Sequence, residues 1–129
     1  MEDIGKWGER YVFKHLNEKF QNVGEIEIKW LNKNSDVGIG YDFLIISNGI
    51  KTEYIEVKSK IDEEPYYFLI SGPQWEFARK LYYENEGNKY KIYIVSSAGS
   101  DNAKIKIIKN PYELWKDGKL YANPISIKL

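Results

Sequence analysis

The chain has 129 residues and a mass of 15.2 kDa, a length that suits one domain. Hydrophobic residues at 43% and aromatics at 16% are too abundant for a disordered chain, and the lack of cysteine excludes a disulfide framework and any thiolate zinc site. Nineteen Lys and Arg balance nineteen Asp and Glu, so no global field draws the protein to nucleic acid or membranes, although a neutral total permits a local basic groove.

The apolar spacing over residues 4–20 predicts a first helix. Strand-like alternation follows over 25–30, then a loop over 31–40 that carries Asn32, Asn34, Ser35, Asp36, Gly38 and Gly40. Residues 41–47 and 51–58 read as two strands joined through Asn48-Gly49, a dipeptide suited to a hairpin turn because both central positions want positive φ. A short strand is expected over 66–70 and a second helix from Pro73 to about Glu86, closed by Gly87. Strands over 90–96 and 103–109 flank a polar turn, and a short helix runs from Asn110-Pro111 to Gly118. The order predicts an α/β domain over residues 1–129, a central mixed sheet flanked by helices. The apolar runs at Phe43 to Ile46 and Ile92 to Val95 fall far below the ~20 residues of a membrane span. Acids occupy the N-terminus where a secretory signal places bases, so a soluble cytoplasmic domain without a membrane partner is expected.

Two features break the pattern. On the first helix, Val12, Phe13, Leu16 and Phe20 form one stripe with Glu9 near its middle. A carboxylate there either pairs with something in the interior or, as a first-turn acid, bends out to solvent. In the hairpin, Glu56 and Lys58 share one strand face while Ile55 and Val57 face the core. A turn at Asn48-Gly49 pairs residues whose numbers sum to about 97, which sets Asp42 near Ile55 and Glu56. Two carboxylates and a lysine suit a hard divalent cation and an anionic substrate; a solvated cross-strand salt bridge is the alternative.

The set Glu9, Asp42, Glu56-Val57-Lys58 resembles the PD-(D/E)XK nuclease superfamily. Gly5-Lys-Trp-Gly-Glu9, Trp30-Leu-Asn32, Tyr41-Asp-Phe43, Ile55-Glu-Val-Lys-Ser59 and Phe68-Leu-Ile-Ser71 further resemble the domain family named for the C-terminal region of the plant NO VEIN protein. Ile108-Lys-Asn-Pro111, Leu114 and Gly118 fit the close of that family. The resemblance implies a restriction-endonuclease-like core and magnesium-dependent hydrolysis of phosphodiesters (manganese as substitute), DNA before RNA. It implies Asp42, Glu56 and the Val57 carbonyl as metal ligands, Lys58 as the group that orients the attacking water, and Glu9 as a water-mediated ligand or an orienter of Lys58. It also implies a restriction or anti-phage setting beside a helicase or ATPase; no phosphate-binding Gly-x-x-x-x-Gly-Lys-Ser/Thr loop is present in this chain. Cutting both strands would need two sites, hence a homodimer, or two visits. Tyr41 stands where the superfamily usually has proline.

Ser71-Gly-Pro-Gln74 fits a capping box, and Gln74 also shares a stripe with Ala78 and Leu81, which makes Ser71 and Gln74 accessory candidates. His15 is expected at the surface, and Trp7, Trp75 and Trp115 in packing. Tyr66, Tyr67, Tyr82 and Tyr83 suit either packing or base stacking, while Lys104, Lys106 and Lys109 read as one solvated strand edge. Gly38-Ile-Gly40 is no dinucleotide fingerprint, because a strand follows it. The rival function is an inactive nuclease-fold module that binds nucleic acid or a protein partner.

Overall fold

The computed structural model describes residues 2–33 and 39–122. Helix α1 (Ile4–Lys19) precedes strands β1 (Ile26–Trp30), β2 (Phe43–Ser47) and β3 (Ile50–Ser59). Helix α2 (Gly72–Tyr83), a 3-10 turn (Gly87–Lys89), strands β4 (Tyr90–Ser96) and β5 (Lys104–Lys109) and helix α3 (Pro111–Lys116) follow. The strands form one sheet in the order β1-β2-β3-β4-β5, antiparallel except for the parallel β3–β4 pair. Two parallel neighbours cannot be joined by a tight turn, and the segment that contains α2 supplies the crossover. This is the mixed sheet flanked by helices that the sequence predicts.

Each sheet face has its own core. Val12 and Leu16 of α1 pack on Phe43, Ile45, Ile55, Val57, Tyr93 and Val95. On the opposite face, Ala78 and Leu81 of α2 and Tyr112 of α3 pack on Tyr90, Ile92 and Ile94. Alternation along β3 therefore turns Ile55 and Val57 toward α1 and leaves Glu56 and Lys58 on the α2 side. Gly8 brings α1 directly onto β3: a Cβ there would lie 1.7 Å from the Ser59 Oγ.

The hairpin brings Asp42 beside Ile55 and Glu56 as expected, with a bulge between Ile45 and Ile46 that moves the register by one residue so that Phe43 pairs with Ile55. Other expectations are corrected. Residues 66–70 form no strand. Their alternation is real, with Phe68 and Ile70 packed on the α2-side core and Tyr66, Tyr67 and Leu69 exposed, but the segment docks through side chains instead of joining a ladder. Helix α2 stops at Tyr83, not near Glu86, because Asn85 adopts a left-handed φ of 61°. His15 is half-buried with its ring 6.2 Å from that of Tyr93. Lys109 falls on the opposite face of β5 from Lys104 and Lys106 by the period of two. The Asn34, Ser35, Asp36 and Gly38 part of the expected loop lies outside the described residues.

Candidate active site

Asp42 sits just before β2, where its backbone N–H donates to the Ile55 carbonyl at 2.8 Å. Its Oδ2 accepts from the backbone N–H of Val57 at 2.8 Å, and its Oδ1 accepts from the Asn32 amide. The residue is thus fixed across the hairpin by groups from both flanking segments. Glu56 is 5% exposed and points to the α2 side. There its Oε2 accepts from Gln74 Nε2 at 2.8 Å and lies 3.5 Å from Lys58 Nζ. Lys58 Nζ in turn donates to Gln74 Oε1 at 2.7 Å.

Gln74 caps α2 and also hydrogen-bonds to Glu56 and Lys58. It is the third helical residue of the capping box: its Oε1 accepts from the Ser71 N–H at 2.9 Å while its own N–H donates to Ser71 Oγ. The same amide bridges the Glu56–Lys58 pair. Ser71 contributes as the cap that starts α2.

Glu9 points inward, as one of the two readings of the α1 stripe had it. Its Oε1 accepts from Trp30 Nε1 at 2.9 Å and lies 3.8 Å from Lys6 Nζ. Lys6 Nζ also donates to the Asn32 carbonyl. Glu9 therefore meets Trp30 and Lys6, whereas Lys58 is oriented by Gln74 and Glu56. Trp30 and Asn32, at the end of β1 and just beyond it, were noted in the sequence only as a motif. Their spacing of two places one donor on each acid. Lys6, Glu9, Asn32, Asp42, Glu56 and Gln74 together line one cleft of about 280 Å3.

Residues 8–108 match the family described as Protein NO VEIN, C-terminal. The chain belongs to the NO VEIN C-terminal family. It is 31% identical over 121 residues to Protein NO VEIN and 32% identical over 119 residues to Protein NO VEIN-LIKE, both of Arabidopsis thaliana. Each match covers 92% of this chain but only 4% and 17%, respectively, of those relatives. No solved structure matches the chain at a significant level.

The electrostatics of this NO VEIN C-terminal domain are set by burial. Desolvation, reinforced by the neighbouring charge of Asp42, pushes the Glu56 carboxyl up to about 8 despite the Lys58 ammonium. Burial also raises Glu9, partly offset by the Trp30 hydrogen bond. Among the described residues no three His, Asp or Glu side chains form a ready-made metal cage. Magnesium does not require one, since one or two carboxylates with water and substrate oxygens suffice. Hard oxygen donors from Asp42 and Glu56, close enough to raise Glu56, fit such a cation. Val57 lines the cleft, and the contact seen for it is its N–H to Asp42.

Among the described residues no helix is long and apolar enough to cross a membrane.

Proposed function

We propose that this domain is a metal-dependent nuclease of the PD-(D/E)XK type that hydrolyses phosphodiester bonds, DNA in preference to RNA. One observation carries the reading: Asp42, Glu56 and Lys58 come together at one end of the sheet, and Glu9 reaches the same cleft from α1. A purely structural hairpin has no use for two neighbouring buried carboxylates, because their repulsion opposes folding. Asp42, Glu56 and the Val57 carbonyl would hold magnesium or manganese, which would supply Lewis-acid neutralisation of the phosphate oxygens.

The chain's own groups do the rest. Val57 N–H and Asn32 hold Asp42 still, so its carboxylate direction is set before substrate arrives. Gln74 and Glu56 hold the Lys58 ammonium beside the cleft, where it orients a water for in-line attack and offsets charge on the transferring phosphoryl group. Glu9, fixed by Trp30, accepts a hydrogen bond from water on the α1 side of the cleft. The proposal extends to a defence setting beside a helicase or ATPase, and to a homodimer where both strands are cut.

A second reading, a nuclease-fold module that only binds nucleic acid or a protein, is favoured by one observation: Lys58 is already engaged by Gln74 and Glu56. Manganese calorimetry on the chain and its Asp42→Asn variant, repeated with duplex and single-stranded DNA, separates the readings. Metal binding lost in the variant, with plasmid nicking lost in parallel, supports the nuclease. DNA binding with no metal uptake in either protein supports the module.

A further inference from the structure

The sheet face that carries Lys58 continues beyond the cleft. In the sheet register Lys58 pairs with Ile94, and Ile94 with Lys106. Lys58 and Lys106 therefore stand in one row, two strands or roughly 10 Å apart. Ser96 pairs with Lys104, which puts Lys104 on the same face. Ile105 between these lysines packs on the α1-side core, so Lys104 and Lys106 lie on the Lys58 side, and both are exposed.

Tyr66 stands beside Lys106, and its neighbour Tyr67 stands beside Lys60. Tyr66 is 74% exposed and Tyr67 68% exposed. Lys106 Nζ lies 5.8 Å from the centre of the Tyr66 ring, and Lys60 Nζ lies 5.8 Å from that of Tyr67. The segment that bears them is fastened down. Phe68 and Ile70 pack into the α2-side core, and Lys60 Nζ donates to the Glu64 carbonyl at 2.7 Å and pairs with Asp62 at 3.4 Å. Lys60 is thus occupied with the turn, and Glu63 and Glu64 are exposed there as well, which leaves Lys104 and Lys106 as the exposed cations of this surface among the described residues.

We propose that Tyr66, Tyr67, Lys104 and Lys106 form a binding track for one unpaired strand of nucleic acid, leading to the Lys58 end of the cleft. Aromatic rings stack on bases only where those bases are not already stacked and paired, so a duplex reaches the lysines but not the rings. The lysines take the phosphates, and the acids of the 62–64 turn keep the strand on the β5 side. The choice of occupant rests on the nuclease reading, through continuity with Lys58 and through charge complementarity.

Fluorescence anisotropy with the full chain in EDTA tests the track without any cleavage. The probes are labelled oligo-dT, oligo-U and a duplex of the same length. Single strands are expected to bind about tenfold or more tightly than the duplex, and Tyr66→Ala/Tyr67→Ala to weaken them by about tenfold or more while the duplex is unaffected. Lys104→Glu/Lys106→Glu is expected to weaken all probes and flatten the salt dependence, with Lys14→Glu on α1 as a silent control. The dT and U arms separate DNA from RNA. Duplex binding equal to or tighter than single-strand binding, unchanged affinity in the tyrosine variant, or no binding of any probe overturns the track. Asp42→Asn keeps the track intact. Strand binding without metal uptake therefore overturns only the nuclease reading, and cleavage with tyrosine-independent binding overturns only the track.

Discussion

Replacing Glu56 by Gln removes a carboxyl whose charge burial opposes and keeps an oxygen for Gln74 Nε2. Glu56 rises from an ordinary 4.5 to about 8, first through burial and then through Asp42. A rise of about 3.5 pH units at about 1.36 kcal/mol each sets a ceiling of about 5 kcal/mol, and water in the cleft brings the expected effect to about 2–4 kcal/mol. The sign follows from proton counting. Between pH 4.5 and 8 the folded chain holds a proton on Glu56 that the unfolded chain has lost. The stability this proton contributes is complete below 4.5 and disappears as pH climbs through about 8. Urea unfolding of parent and Glu56→Gln in EDTA, from pH 5 to 9, should give curves that diverge with rising pH and run parallel above about pH 8 in favour of the variant. Manganese at pH 9 should then stabilise the parent and leave the variant unmoved. A stability difference that is constant across the pH range would refute the argument that burial and Asp42 govern Glu56.

Asn32→Ala should lower manganese affinity about 10–100-fold by calorimetry, because Asp42 loses the amide that orients it. Gly8→Ala should cost about 1–3 kcal/mol in urea unfolding, since its Cβ would meet Ser59 Oγ, and Ser59→Gly should restore most of the loss. Trp30→Phe removes the donor that holds Glu9 down, so a carbon-13 NMR titration should place the Glu9 carboxyl higher than in the parent.

The hairpin pair was legible because two local signals agree. Asn48-Gly49 sets the turn, the period of two sets the face, and one bulge changes the register by a single residue, in the direction that brings Asp42 to Glu56. The donors were less legible. Trp30 reaches Glu9 across 21 positions and Asn32 reaches Asp42 across 10, contacts that depend on where α1 and β1 pack and leave no mark in local spacing. Gln74 read correctly as a helix cap, but its reach to Lys58 depends on the crossover from β3 to α2. Residues 66–70 misled because alternation reports which side chains are buried, and a segment lying on a core alternates as a strand does.

The amide of Gln74 closes the first turn of α2 and, in the same pose, ties Lys58 to Glu56. Fraying of that turn and release of the Lys58 ammonium are consequently one fluctuation. The exchange rates of the Gln74 and Trp75 amides, both donated back to Ser71, then report how often Lys58 comes loose, with no ligand or substrate needed to see it.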